Sequence, residues 1–342
     1  ECPGSLVAAP GLAFWPCIGE VPTVRARLGF SPRIITRYLH QMVCASLHAP
    51  PDIITWHYYP GLSDRSKLAM YRPALRAAAV VCLLALTALT ALATPANAAL
   101  STQTMAILYS SAALICAFAA LVSAVVRPVS LTSLRTVANL DTVRRWASQV
   151  VDTVQQYPEG RRPSIWLGET GSAQVGGQPG VCGRWAATLW WLDQLGCLAL
   201  HGHRVQCRQT LAGSDYGMID PATLEAKPDF WASVLWKRLM GSEVLQVEAP
   251  TAPQTLRLYC HRGKQYRTFL ALNLGDESVE LQLDSPAQVW TLDAPALDAP
   301  FVTVNGVQPV ALPDGTIPEL LGQYNEQPVV PPGAALFVQL PL

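Results

Sequence analysis

The chain has 342 residues and little charge: Asp, Glu, Lys and Arg make up 14% of it, against about 25% in ordinary soluble domains. Acids and bases are balanced at 24 each, and the pI is near 7.2. Net positive charge is absent, which removes the electrostatic footprint of a nucleic-acid binder. No two of the nine cysteines are spaced as CxxC, so no zinc ribbon or redox motif is present. No internal repeat is evident. The 50% hydrophobic content excludes a disordered chain. The length allows about two domains.

The lack of charge is most acute between Arg76 and Arg127, where fifty residues contain no Asp, Glu, Lys, Arg or His. Two apolar runs lie in this block, Ala77 to Ala93 (17 residues) and Met105 to Val126 (22 residues). Both fall within the roughly 17–25 residues of a spanning helix. With the polar hinge TPANAALSTQT between them they read as a membrane hairpin, residues 77–126, with Arg72, Arg76 and Arg127 holding both ends in the cytoplasm. Met70 to Arg76, the first run and Ala96-Asn97-Ala98 also follow the n-h-c pattern of a signal peptide, displaced from a chain start. An insertion foreign to its surroundings and a buried helix pair are the other readings.

Outside this block the pattern alternates. Residues 1–50 are Pro-rich and weakly periodic. Ile53 to Tyr59 (IITWHYY) reads as a strand closed by Pro60-Gly61. Asn139 or Asp141 opens a helix to about Tyr157, with Val143, Trp146, Val150 and Val154 on one face. Ser164 to Gly168 is a strand with Glu169 at its C-terminal end, followed by a loop with Gly171, Gly176, Gly177 and Gly180. Helix Arg184–Leu200, strand Arg204–Thr210 and a helix from Pro228 to about Met240 follow. Such alternation predicts βα units and a parallel sheet or barrel. Beyond residue 243, short alternating runs separated by Arg262-Gly263, Asn305-Gly306 and Asp314-Gly315 predict an antiparallel β-sandwich.

In a (β/α) barrel the chemistry sits at the C-terminal ends of strands. Three strand ends offer polar groups: His57, Tyr58 and Tyr59; Glu169 and Thr170; Arg208 and Gln209, with Asp215 and Tyr216 beyond. A carboxylate, a histidine, tyrosines and an amide on one rim suit a hydroxyl-rich ligand, and the aromatic faces suggest a sugar. A Glu so placed can serve as the nucleophile of a retaining glycosidase. Taken alone, Glu169 also fits a salt-bridged surface carboxylate and His57 a core histidine. His201 and His203 lack a third ligand nearby and are expected to be structural or solvent-facing. No cofactor and no metal site is predicted.

The segments WLGETGSAQVGGQPGV, RWAATLWWLDQLG, RQTLAGSDYGMIDP, PDFWASVLWKRLMGSEVL and DIITWHYYPGLSDRS resemble heparanase and its β-glucuronidase relatives, glycoside hydrolase family 79, in matching order. The resemblance covers roughly residues 14–66 and 129–342. It implies the C-terminal portion of a (β/α)8 TIM barrel followed by a β-sandwich, hence an α/β plus all-β fold class with the apolar helical hairpin inserted. The expected division is 1–66 and 129–242 for the partial barrel, 67–128 for the insertion and 243–342 for the sandwich. It implies Glu169 as nucleophile, His57, Gln209 and Tyr216 as substrate contacts, and Gly176 as part of a glycine loop at the substrate; Tyr58 is expected as a further substrate contact from its place at the strand end beside His57. Val175 stands where the family has another glycine. The implied partner is a glycan containing glucuronic acid, and the implied location is secreted or extracellular, or a membrane if the hairpin is genuine. Disulfides are compatible with secretion.

One element of the family is missing. Its acid/base Glu lies in an Asn-Glu-Pro motif on the fourth barrel strand, and no Asn-Glu-Pro occurs in this sequence. Asn325-Glu326 falls in the expected sandwich, and Glu20 in CIGEVP lies past the family's acid/base. About three βα units are expected, too few to close a barrel. The sequence therefore predicts a fragment of a glycosidase, inactive on its own, or a membrane-tethered glycan-binding protein without catalysis. A carbohydrate-binding sandwich acting alone is a third reading.

Overall fold

A computed structural model of the chain describes residues 5–14, 33–92, 107, 109–117, 128–312 and 314–342. Strands β1 (Ala8–Phe14), β2 (Ile53–Tyr58), β3 (Ser164–Thr170) and β4 (His203–Arg208) form a parallel sheet in sequential order. The sequence predicted three of these. β1 contains Pro10 and Gly11, which read as breakers. Among the described residues it lies at the sheet edge, a position where proline is tolerated because its missing N–H breaks no ladder bond there.

Helices α1 (Arg33–Ala45), α3 (Thr142–Val154) and α4 (Trp185–Leu200) join this sheet in one apolar core, with Ile54, Trp56, Tyr58 and Leu167 from the strands. On α3 the predicted stripe Val143, Trp146, Val150 and Val154 is buried. Asp141 precedes that helix without capping it through its side chain, which binds Arg144 and Arg257 instead. α5 (Pro228–Leu239) starts at Pro228, a residue suited to the first helical turn because its missing N–H has no helical partner to lose.

Beyond α5 the sheet is antiparallel. Strands β5 (Glu243–Leu245), β6 (Leu256–Arg262), β7 (Tyr266–Asn273), β9 (Ala287–Asp293), β10 (Thr303–Val304), β11 (Gln323–Asn325) and β13 (Ala335–Pro341) make seven strands, with β13 and β7 central. A ribbon of β8 (Val279–Glu280) and β12 (Val329–Val330) accompanies them. The period of two divides the side chains. Leu270, Leu272, Trp290, Leu292 and Phe337 join the core of α4, whereas Ala271, Val289, Leu336 and Val338 pack with Val330 and Val279 of the ribbon. The Asn305-Gly306 turn has φ of 51° and 80°, the pair of positive values a type I′ hairpin requires.

The apolar block is described in part. Helix α2 (Lys67–Leu92) carries Pro73 inside it, and its uncharged part runs from Ala77 to Leu92. Among the described residues no helix is long and apolar enough to cross a membrane, so the membrane hairpin over 77–126 finds no support there. Residues 109–117 are helical, and Cys116 Sγ lies 3.6 Å from the Ala79 carbonyl oxygen, so the two runs meet. Ala96-Asn97-Ala98, most of the second run, Arg127 and Glu20 lie outside the described residues. All seven cysteines among the described residues are free.

Candidate active site

The C-terminal ends of β2, β3 and β4 meet at Glu169. In the ladder His57 pairs with Glu169, and Tyr58 with Thr170. Alternation then decides which side chains share the rim. Trp56 and Tyr58 turn toward the helices, while His57 and, just past the strand, Tyr59 turn the other way.

Tyr59 donates its hydroxyl to Glu169 Oε1 at 2.5 Å. His57 Nδ1 stands 3.4 Å from Glu169 Oε2. The Tyr59 and Tyr216 hydroxyls both reach the side-chain oxygen of Gln209, the latter at 3.3 Å. The Tyr59 and Tyr216 rings lie 6.4 Å apart, tilted by 38°. Burial first, and the hydrogen bond to Glu169 second, push the Tyr59 phenol well above its ordinary pKa. Burial likewise raises that of Tyr216. Both hydroxyls therefore remain protonated donors at neutral pH.

Gly171 allows this closeness. A Cβ there would meet the Tyr59 ring at 2.9 Å and the Tyr216 ring at 3.2 Å. The glycine loop is tied to the loop after β4, since Asp215 N donates to the Gly176 carbonyl at 2.8 Å. Gly176 has φ of 80°. Val175 has φ of 52° and is exposed, a left-handed conformation that a β-branched residue adopts only under strain. Arg65, from the loop after β2, pairs with Asp215 at 2.7 Å. Asp64 and Gln178 exchange two hydrogen bonds, Asp64 N to Oε1 at 2.8 Å and Nε2 to Asp64 Oδ2 at 3.1 Å. The three rim loops are thus cross-linked.

Beneath the rim, Arg208 and Asp229 form a buried pair at 2.8 Å. The guanidinium also stacks 5.4 Å from Trp190, 5.6 Å from Trp191 and 5.7 Å from Tyr216. Burial raises the Asp229 pKa, and Arg208 opposes the shift. This pair fixes the strand end from which Gln209 projects.

Of the residues expected at the site, Glu169, His57, Gln209 and Tyr216 come together, and Gly176 lies in the adjoining loop. Tyr58 does not: its ring is buried with Trp56, 6.1 Å between centroids. Tyr59 takes that place, as the two-residue period counted from His57 indicates. Nothing local in the sequence marked Asp229 as the partner of Arg208. His203 is buried and accepts a hydrogen bond from Trp56 Nε1 at 2.9 Å, and His201 Nδ1 contacts the Cys197 carbonyl at 2.8 Å. The two rings serve separate structural contacts.

No family profile matches the chain. Among curated proteins, it is 39% identical over 141 residues to heparanase-like protein 1 of Arabidopsis thaliana, a match covering 41% of this chain and 25% of that protein. It is 34% identical over 195 residues to a baicalin-β-D-glucuronidase of Scutellaria baicalensis, covering 53% and 37% respectively. Against heparanase of Gallus gallus the values are 38% over 162 residues, 44% and 30%. The chain thus spans a quarter to under two fifths of these relatives. Among solved structures, a GH51 arabinofuranosidase from Xanthomonas axonopodis pv. citri superposes with a TM-score of 0.54 at 11% identity, over 99% of this chain and 59% of that one. That likeness is one of fold. In its matched part the sequence is heparanase-like and β-glucuronidase-like.

Proposed function

We propose that this heparanase-like chain is the C-terminal part of a retaining glycoside hydrolase that acts on β-linked glucuronic acid, with four strands of a (β/α)8 barrel and a β-sandwich. The observation that carries the reading is Glu169 at the end of β3, with Tyr59 donating to one carboxylate oxygen and His57 beside the other. A carboxylate held through both oxygens is oriented rather than free to rotate, which suits in-line attack on an anomeric carbon. Attack forms a bond from Glu169 to that carbon and breaks the bond to the leaving oxygen, giving a glycosyl-enzyme that water later hydrolyses. His57, Gln209 and Tyr216 offer hydrogen bonds to the sugar.

Departure of an ordinary sugar or alkoxide needs a proton from a second carboxyl about 5–5.5 Å from the nucleophile. The Asn-Glu-Pro segment that carries it in the family is absent from the sequence. This chain is therefore competent, at most, for the first half of the reaction with leaving groups that need no proton.

The test uses the purified chain with 2,4-dinitrophenyl β-glucuronide, whose phenolate departs unaided, and with a glucuronic-acid glycan. A glucuronyl adduct on Glu169 by mass spectrometry, lost in Glu169→Gln, is the expected result, with the glycan uncleaved. Cleavage of the glycan at ordinary enzymatic rates would show that an acid/base is present after all. Glycan binding without any adduct would favour a non-catalytic glycan-binding protein.

A further inference from the structure

Behind the rim, on the helix side of the sheet, Thr170 is fully buried. Its hydroxyl lies 2.7 Å from the Tyr58 carbonyl oxygen and 3.1 Å from Gln194 Nε2 of α4. A hydroxyl carries one proton. That proton goes to the carbonyl, which cannot donate, so Gln194 must donate to Thr170. The order Gln194 to Thr170 to Tyr58 is thereby fixed by chemistry. Gln194 is itself buried in the middle of α4.

The position of this chain of bonds matters more than its existence. Tyr58 directly precedes Tyr59, and Thr170 directly follows Glu169. The Thr170 carbonyl in turn accepts from Gln209 N at 2.8 Å. One residue therefore ties the backbone beside Tyr59, Glu169 and Gln209, the three groups that meet at the rim. The regular ladder does not do this alone: its register shifts between Trp56 and His57 in one strand pair, and between Leu167 and Thr170 in the next. Where the ladder slips, side chains must hold the register.

We infer that Thr170 and Gln194 are positioning residues, whose buried hydrogen-bond chain to the Tyr58 carbonyl sets the Tyr59 hydroxyl against Glu169. Their importance for turnover rests on the proposed role of Glu169; the geometric claim does not.

The test needs no substrate. The full chain is prepared with 13Cζ-labelled tyrosine and titrated by NMR, with the Tyr59 signal assigned by Tyr59→Phe. In the parent the Tyr59 signal is expected to stay protonated well above the ordinary tyrosine value of about 10. Thr170→Val, which keeps the shape and removes the hydroxyl, is expected to bring the Tyr59 titration down by about one pH unit or more. Thr170→Ser, which keeps the hydroxyl, is expected to titrate as the parent does. A Val variant with the parent's titration, or a Ser variant that shifts as Val does, overturns the inference. If Thr170→Val does not fold, Gln194→Leu decides in its place: a lowered Tyr59 titration supports the chain and an unchanged one refutes it. Failure of Glu169 to form an adduct would sink the proposed function and leave this result standing.

Discussion

The ring of Tyr259 occupies the space that any side chain at Gly196 would need: a Cβ built there lies 2.2 Å from Tyr259 Cγ. The Tyr259 hydroxyl meanwhile donates to the buried Asp193 at 2.7 Å, and Arg257 approaches the same carboxylate at 3.5 Å. α4 and β6 are thus joined by a close contact and a polar latch. Gly196→Ala gains about 1 kcal/mol of helix propensity but must displace the ring, an overpacking cost of about 1–3 kcal/mol or more. The expected outcome is a net loss of stability in chemical denaturation. Gly160→Ala, with open space around the new methyl, is the near-neutral control.

Arg208 and Asp229 test what a buried pair contributes. Removing one partner strands the other charge, and the usual cost is about 3–5 kcal/mol. Asp229→Ala is expected to fall in that range. Replacing both residues by apolar ones of similar size should recover much of it. Urea denaturation of the two single variants and the double variant measures this, and a double-variant loss equal to the sum of the two single losses would argue against coupling.

His203 confers acid sensitivity. Burial lowers its pKa to about 4, below the ordinary value of about 6.5. Between those values the unfolded chain binds a proton and the folded chain does not, so stability falls as pH drops from about 6.5 to about 4, by up to about 3 kcal/mol. Protonation would also put a proton on the Nε2 that accepts from Trp56. The buried carboxylates Asp193 and Asp229, whose pKa values burial raises, work in the opposite direction. The measurement is therefore a difference: melting of the parent against His203→Gln across this window, with the parent losing more on acidification.

Tyr59 and Tyr58 are adjacent yet should behave oppositely. Tyr59→Phe removes the hydrogen bond to Glu169 and is expected to slow adduct formation about tenfold or more, the usual value of a bond to a charged group. Tyr58→Phe acts in the core and should leave that rate within about twofold. Stopped-flow release of dinitrophenolate compares them directly.

Much of this was legible from periodicity. The stripe on α3, the Pro228 start of α5, the strand ending at Glu169 and the alternating strands beyond residue 243 follow from spacing and turn residues alone. The misses share a physical origin. β1 was hidden because Pro10 and Gly11 are excluded from central strands but allowed at an edge, and a sequence does not announce which strand is the edge. Tyr58 and Tyr59 both stand at a strand end in the sequence, and only alternation counted from His57 selects Tyr59. Asp229 and Gln194 are set against Arg208 and Thr170 by tertiary packing, which leaves no local mark.

α4 carries one last consequence. Its apolar surface is divided between two sheets, with the parallel strands on one side and Leu270, Leu272, Trp290 and Phe337 on the other. A helix used in this way belongs to neither half. Cutting the chain near residue 242 would divide a shared interior instead of a linker and leave each product with an uncovered wall. The antiparallel part would then expose Leu270, Leu272, Trp290 and Phe337, the residues that the helix covers. Evolution could exchange such a part only together with the helix it rests on.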